Sequence, residues 1–401
     1  MTVTTTERRT TPVARTTRHV VLATLALAMG GFAIGTTEFV TMGLLPEMAA
    51  GVQVSIPAAG HMISAYAIGV VVGAPLIAIF GARLPRRGLL IALMIAFAAG
   101  NAASALAGSF GVLAAARFFA GLPHGAFFGV ASLVAAAMVE PARRGRAVSL
   151  VMLGLPVANV VGVPAATWMG QQLGWRSAYV AVTLVALLTA ILVLALVPAT
   201  PADPGATGRK EIKAFATPQV WLTLLVGAIG FGGMFAMYSY IAPTITDVTG
   251  LSSSAIPLFL LAFGVGGVVG TVIGGRLADW SIFRSLIASS VAMGLFLVLF
   301  TVTARFAVPG LLTVFAIAAV GSVLVVNLQM RLMQVAGDAQ TLGAAMNHAS
   351  LNAANALGAW LGGLVITAGY GYTAPSWVGA VLSLGGLAVL AVSAGLHHRR
   401  A

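Results

Sequence analysis

The chain has 401 residues, of which 59% are hydrophobic and only 7% are charged, and it contains 48 glycines. This composition excludes a soluble globular domain and indicates an integral membrane protein. The formal net charge of +12 is spread over short loops and tails rather than gathered in a basic domain with interleaved aromatic residues, so it does not indicate nucleic-acid binding.

Twelve apolar stretches are long enough, at roughly 20 residues each, to cross the bilayer core as helices. They run over residues 20–44, 56–80, 88–107, 111–138, 147–169, 177–197, 220–244, 255–277, 285–303, 309–330, 342–368 and 375–396. The predicted fold is therefore an all-α membrane protein with twelve transmembrane helices. The predicted domains are a cytoplasmic tail at 1–19, six-helix halves at 20–198 and 218–396, a cytoplasmic linker at 199–217 and a tail at 397–401.

The two halves repeat each other in sequence. At an offset of 197 positions Gly69 aligns with Gly266 and Gly73 with Gly270, and at an offset of 196 Asn159 aligns with Asn355 and Gly162 with Gly358. Parallel repeats of this kind indicate a transporter built from two pseudo-symmetric bundles.

The positions of the basic residues predict the orientation, because positively charged loops stay in the cytoplasm. With both termini inside, 18 of the 21 Lys and Arg residues fall in cytoplasmic segments, and only Arg176, Arg305 and Arg117 do not. The first 18 residues are polar and lack a cleavage pattern, so they read as a tail rather than a signal peptide. We expect a multi-pass protein of the cytoplasmic membrane.

Two kinds of chemistry are excluded by residues that the chain lacks. It has no cysteine, which excludes disulfides and thiolate metal sites. Its only lysines, Lys210 and Lys213, are not followed by Ser or Thr, so the chain has no phosphate-binding loop and does not hydrolyse ATP by itself.

Three ionisable residues inside the predicted spans are candidates for proton coupling. Glu38 is the only acid well inside a span, Arg117 lies midway along the fourth helix, and His124 follows it by seven residues on the same face. Ionisable groups in the membrane are costly and usually functional, and Glu38 is the partner expected for Arg117. The alternatives are a neutral Glu38 that locks helix packing and a His124 that is an ordinary packing residue.

The fifth and eleventh helices carry further patterns. Gly154 and Pro156 recur eight residues later as Gly162 and Pro164, which predicts a kinked, closely packed helix, although glycine and proline are common in membrane helices. His348, Asn352 and Asn355 share one face of the eleventh helix. Because Asn355 repeats Asn159, we assign that pair to symmetric helix packing, with substrate contact as the alternative, and regard His348 and Asn352 as the better candidates for the cavity.

Aromatic and thioether side chains suit a cavity for varied apolar ligands, although most such residues face lipid or core. The further candidates for the cavity wall are Phe39, Met42, Phe128, Phe231, Phe235 and Tyr238.

Several segments of the sequence resemble motifs of a known family. Gly35-Thr36-Thr37-Glu38-Phe39, Gly43 to Pro46, Ala58 to His61, Gly73 to Pro75, His124 to Gly129 and Ala158 to Pro164 are similar to motifs of the major facilitator superfamily. Within it, the chain resembles the twelve-span drug:proton antiporters close to arabinose-efflux-permease-like and chloramphenicol-resistance exporters.

The resemblance implies roles for particular residues. Arg117 matches an arginine implicated in proton coupling, and the Gly154 to Pro164 pattern is associated with exporters. The gating loop between the second and third helices keeps Arg83, Arg86 and Arg87 but has Ala82 in place of an aspartate. The second half retains that acid as Asp279, which we expect to carry more of the gating.

The expected function is proton-coupled efflux of drug-like or amphipathic molecules by alternating access, in which protonation of Glu38 alters its tie to Arg117. The polar face of the eleventh helix keeps sugar or nucleoside efflux open. A polytopic membrane enzyme lacks a catalytic cluster here, and a membrane scaffold would not require Glu38 or Arg117. We expect a monomer whose partners are a small-molecule substrate, protons and lipid, with no nucleic acid, cofactor or metal.

Overall fold

The computed structural model describes residues 17–81, 83–199, 217–336 and 340–398. Within these residues twelve helices are long and apolar enough to cross a membrane. They are α1 (Arg18–Gly43), α2 (Ile56–Ile77), α3 (Arg86–Leu106), α4 (Phe110–Ala137), α5 (Arg146–Leu173), α6 (Arg176–Leu196), α7 (Pro218–Tyr238), α8 (Ser253–Trp280), α9 (Ile282–Thr303), α10 (Ala307–Val335), α11 (Met346–Tyr370) and α12 (Ala374–Leu396). The predicted all-α fold with twelve spans is confirmed.

The predicted tails and linker lie mostly outside the described residues, and so do Ala82, Lys210 and Lys213. Helices α1–α6 form the first half and α7–α12 the second. Because the twelve helices of the described chain cross in succession, residues 18 and 398 lie at the same end of the bundle. We call it the basic end, because the loops there carry exposed arginines such as Arg83, Arg144 and Arg276. The opposite end is called the far end.

The sequence repeat reappears as a repeated packing contact. In each half two glycines of the second helix lie directly against backbone carbonyl groups of the fourth helix. The pairs are Gly69 with Phe118, Gly73 with Leu122, Gly266 with Phe315 and Gly270 with Ala319. Every member of the second set is 197 residues from its counterpart in the first. A side chain at any of these glycines would overlap the neighbouring backbone, so only glycine permits this approach.

Replacing Gly270 by alanine is expected to destabilise the protein by about 1–3 kcal/mol, because the added methyl group overlaps the carbonyl of Ala319 and the two backbones must move apart. Gly275 on the same helix is a matched control, since an added Cβ there meets nothing within 4 Å. Thermal unfolding of the purified variants in detergent tests the difference. A Gly270→Ala protein as stable as Gly275→Ala would show that the close approach is not required.

Helix α5 is interrupted where its two prolines lie. A helical turn at Gly154–Val157 is followed by a π-helical turn at Ala158–Gly162, and the α-helix resumes at Val163–Leu173. Proline lacks the N–H that would bond back along the helix, so Pro156 and Pro164 favour such an irregularity. The π turn holds Asn159 in the wall between the two halves.

The two halves touch across α2–α11 and α5–α8 near the far end. The hydroxyl of Ser64 on α2 donates to the carbonyl of Ala356 on α11 at 3.1 Å. Gln171 on α5 donates through Nε2 to the carbonyl of Ser253 at the start of α8, at 2.9 Å. These hydrogen bonds close the far end of the interface between the halves.

Candidate functional site

A cavity of about 250 Å³ lies between the two halves. Its wall includes residues of α1 and α5 from the first half and of α7, α8, α10 and α11 from the second. The lining residues with polar side chains are Glu38, Asn159, Thr271, Ser322, His348 and Asn352. The lining residues Thr271 on α8 and Val326 on α10 lie past the middle of their helices, so the cavity extends toward the basic end.

An aromatic cluster closes the far end of the cavity. Tyr238 and Phe263 stack with ring centroids 3.8 Å apart. Phe39 from the first half packs against both, at 6.0 and 6.5 Å, and stacks on Phe235 at 6.3 Å. These contacts join α1 to α7 and α8, so opening the far end requires that they separate.

Glu38 is the acid in the cavity wall. Its side chain is 5% exposed, and its carboxyl group faces the amide of Asn355 on α11. Glu38 and Asn355 are neighbours but are not hydrogen-bonded, because neither Nδ2 nor Oδ1 of Asn355 has a hydrogen-bond partner. The carboxyl group of the first half and an amide of the second half therefore meet beside the cavity.

Arg117 is fully buried within the first half, and its hydrogen bonds go to Thr37 rather than to Glu38. One terminal nitrogen donates to the Thr37 hydroxyl at 3.1 Å and the other to the Thr37 carbonyl at 3.0 Å. The guanidinium also lies over the ring of Tyr66 at 4.3 Å and near that of Tyr179 at 5.4 Å. The expected tie to Glu38 is therefore an electrostatic interaction between neighbours, not the bond that holds Arg117.

Thr37 connects Arg117 to a third helix, because its hydroxyl donates to Oδ1 of Asn101 on α3 at 2.5 Å. Asn101 is held in turn by its own bond to the Phe97 carbonyl at 2.8 Å. A buried cation is tolerated in this network because carbonyl oxygen and aromatic faces replace its hydration. The network fixes the segment of α1 that carries Glu38.

His124 and His348 meet across the interface between the halves, with ring centroids 5.9 Å apart. Nδ1 of His124 is hydrogen-bonded to the hydroxyl of Tyr66 at 3.1 Å, so Tyr66 contacts both His124 and Arg117. His348 stacks flat on Phe128 of the first half, with centroids 5.0 Å apart and an interplanar angle of 1°. One face of the His348 ring is thus covered by Phe128, while the residue lines the cavity.

Several buried polar atoms around the cavity lack a hydrogen-bond partner. They are Oδ1 of Asn159, Oδ1 of Asn352, Nε2 of His124 and both amide atoms of Asn355. Buried polar groups are nearly always paired in folded proteins, so a group of unpaired atoms at one place indicates a ligand or water site.

The sequence matches the profile of the Major Facilitator Superfamily over residues 27–347. The chain belongs to this superfamily. It is 40% identical over 368 residues to inner membrane transport protein YdhP of Escherichia coli K12, across 92% of this chain and 94% of YdhP. It is 37% identical over 367 residues to a chloramphenicol resistance protein of Streptomyces lividans, across 89% of this chain and 92% of that protein.

The fold is also that of a solved transporter. A D-xylose-proton symporter aligns with a TM-score of 0.73 over 92% of this chain and 97% of its own, at 18% identity. The chain is therefore a multi-pass membrane transporter of the superfamily, and not an enzyme. The predicted resemblance is confirmed at the level of the family.

The structure brings most of the predicted cavity residues together. Phe39, Phe231, Phe235, His348 and Asn352 line the cavity. Three others do not line it, although two of them support lining residues. Phe128 lies beneath His348 and Tyr238 stacks on Phe263, whereas Met42 is fully buried in the apolar core. Met42 lies one helical turn beyond Glu38 toward the far end, outside the residues that line the cavity.

Two residues assigned to helix packing lie in the cavity wall instead. Pro156 and Asn159 both line it, while Asn355, the sequence counterpart of Asn159, faces Glu38. The repeat therefore does not place this pair symmetrically. The lining residues of α8 and α10 were not predicted, and most of them, such as Gly264, Val268 and Ala318, carry no chemical signal in sequence.

The remaining predicted positions lie outside the cavity. An added side chain at Gly154 would overlap the Ala28 carbonyl of α1, and one at Gly162 would overlap Thr36, so both glycines permit close contact of α1 and α5. Pro164 lies in the first turn of the helix that resumes after the π turn. At the basic end Arg83 is exposed and Arg86 half-buried, and Asp279 is exposed on the last turn of α8.

Arg87 of the predicted gating loop makes a hydrogen bond to another helix. Its guanidinium donates to the carbonyl of Leu194 near the end of α6. This bond ties the start of α3 to α6 within the first half. No group of three or more His, Asp or Glu side chains arranged to hold a metal ion occurs in the described residues.

Proposed function

We propose that this transporter exports small amphipathic molecules across the cytoplasmic membrane in exchange for protons. The observation that carries the proposal is the position of Glu38, in the wall of the cavity and facing Asn355 of the opposite half. A proton bound there changes the charge of the wall that a substrate would contact and acts on a contact between the halves. Protonation and substrate binding can therefore compete.

The proposed cycle follows from these contacts. An ionised Glu38 only accepts hydrogen bonds, so it favours the amide N–H groups of Asn355, and a closer approach would let it accept from them and hold the two halves together at this level. A protonated carboxyl group loses its charge and this preference, which frees the halves to rearrange. Arg117 stays bound to Thr37 and acts as a positioning residue for Glu38.

The composition of the cavity wall supports an amphipathic cargo. The aromatic residues Phe39, Phe231, Phe235 and Phe263 form a large part of it, and Glu38 is the charged residue among those that line it. Such a wall suits the apolar body of a neutral or cationic molecule. The chloramphenicol resistance protein among the relatives makes chloramphenicol a suitable first probe.

Proteoliposomes loaded with an acidic lumen test the proposal. A panel of chloramphenicol, tetraphenylphosphonium, pentoses and nucleosides is added outside. For exchange of one proton per neutral molecule, we expect accumulation of about tenfold per pH unit, since one unit corresponds to about 1.36 kcal/mol. A protonophore should abolish it. Flux that is independent of the pH gradient would show that the protein is a uniporter. If none of the compounds is transported, the proposed function is contradicted.

Efflux of sugars or nucleosides is a second candidate. The unpaired amide oxygens of Asn159 and Asn352 favour it, because a polyol would supply hydroxyl donors to them. The same panel separates the candidates: pentose or nucleoside accumulation without movement of the aromatic probes would favour the second.

The orientation can be tested because the chain has no native cysteine. Arg83 at the basic end and Ser254 at the far end are both exposed. Since positive loops remain in the cytoplasm, an Arg83→Cys protein should react with an impermeant maleimide only after cell lysis, whereas Ser254→Cys should react in intact cells. The opposite pattern would place both termini outside.

A further inference from the structure

The wall of the cavity formed by α11 has hydrogen-bonding capacity that the protein itself does not use. Asn352 donates through Nδ2 to the backbone carbonyl of His348 at 3.1 Å. This bond fixes the orientation of the amide, because the reverse orientation would set one carbonyl oxygen against another. Oδ1 of Asn352 is consequently the unpaired atom, in a side chain that is only 3% exposed.

His348 lies one helical turn before Asn352 and lines the same cavity. Phe128 covers one face of its ring and fixes the plane of the imidazole. Asn159 adds another unpaired oxygen from the π turn of α5. A neutral imidazole supplies one acceptor and one donor, so the free groups of this wall are mainly acceptors.

The rest of the wall differs in chemistry. Phe39 and Phe235 stack on each other at 6.3 Å, and Phe231 packs edge-on against Phe235 at 5.4 Å. A ligand that fills the cavity therefore meets aromatic surface at the far end and hydrogen-bonding groups on α11 and α5.

We infer that His348 and Asn352 determine the substrate specificity of the transporter, by accepting hydrogen bonds from O–H or N–H groups of a molecule whose aromatic or other apolar part packs on Phe39, Phe231 and Phe235. The inference rests on the proposed function and names the class of substrate. The amide oxygens of Asn159 and Asn352 are shielded from water in this conformation. Each therefore carries the free-energy cost of an unpaired buried acceptor until a donor reaches it. A ligand without donors leaves that cost in place.

Matched pairs of probes test this inference. Chloramphenicol, with two hydroxyl groups and an amide N–H, is compared with its diacetate, which keeps the amide N–H but has both hydroxyls blocked. A phenyl pentoside is compared with its fully O-methylated form. Transport by the wild-type protein should favour the member with free hydroxyl groups by at least about tenfold in kcat/KM, because an unpaired buried acceptor costs that much or more.

His348→Phe should reduce this preference, because phenylalanine keeps the stack on Phe128 and removes both ring nitrogens. Asn352→Leu should reduce it independently. His61→Phe is the matched control, since His61 is exposed and does not line the cavity. It should keep the full preference. Transport of tetraphenylphosphonium, which has no donor, verifies that each variant is folded.

The outcomes separate the two proposals. If no compound moves with protons, the proposed function fails. If tetraphenylphosphonium moves but the donor-bearing members of both pairs move no better than their blocked forms, the proposed function stands and the specificity inference is overturned. Retention of the preference in both His348→Phe and Asn352→Leu would also overturn it.

Discussion

A Glu38→Gln protein is expected to lose all accumulation of substrate against a proton gradient, from about tenfold per pH unit to none, while still exchanging substrate across the membrane. Glutamine has the shape of a protonated glutamate and can still contact Asn355, but it cannot gain or release a proton. Accumulation in acid-loaded proteoliposomes and substrate counterflow without a gradient, measured on the same preparation, separate coupling from transport.

Glu47 provides the control for this experiment. It lies in the short helix Leu45–Gly51 that follows α1, and burial raises the pKa of its carboxyl group. It does not line the cavity, so Glu47→Gln should accumulate substrate like the wild type. Accumulation by Glu38→Gln would show that the proton binds elsewhere. Loss of accumulation in Glu47→Gln alone would move the coupling site to the far end.

Arg117→Lys is expected to lower transport at least about tenfold and to reduce the stability of the first half. Lysine carries the same charge, but it cannot donate in two directions to the hydroxyl and carbonyl of Thr37 or stack on Tyr66 in the same way. Each hydrogen bond from a charged group is worth about 1.5–3 kcal/mol. Thermal unfolding in detergent and proteoliposome flux are the two measurements.

Arg176→Lys is the matched substitution at the far end. Arg176 also donates to a backbone carbonyl, that of Ala107, at 2.9 Å, and lies over the ring of Trp175 at 4.3 Å. It belongs to no part of the cavity, so the same change should leave flux within about twofold of wild type and cost about 1 kcal/mol or less. Equal losses in both variants would mean that Arg117 has a general structural role and no special position relative to Glu38.

Much of the fold follows from sequence because lipid imposes simple rules. A helix must span about 30 Å with apolar residues, and positive charge collects on one side, so the number and placement of the spans could be predicted. The interruption of α5 was expected from its prolines, but the π turn at Ala158–Gly162 was not. Its exact position depends on packing against α1 and α8, which no local pattern encodes.

The site was less predictable, for two physical reasons. Counting charges in the spans suggested Glu38 as the partner of Arg117, yet the carbonyl of Thr37 and the ring of Tyr66 hold this cation. Carbonyl groups occur at every position, so sequence cannot single one out. The sequence repeat also suggested equivalent positions for Asn159 and Asn355. They align in sequence but contact different neighbours, because the two halves face each other.

The glycine contacts that repeat between the halves bear on how the duplicated chain could diverge. Each glycine rests on a backbone carbonyl, which every residue type supplies. The residue that supplies this carbonyl is Leu122 in the first half and Ala319 in the second, whereas Phe118 and Phe315 are the same. Two copies that kept only their glycines could retain a common scaffold while differing at the surface between them, where the first half has Glu38 and the position 197 residues later in the second half is Phe235.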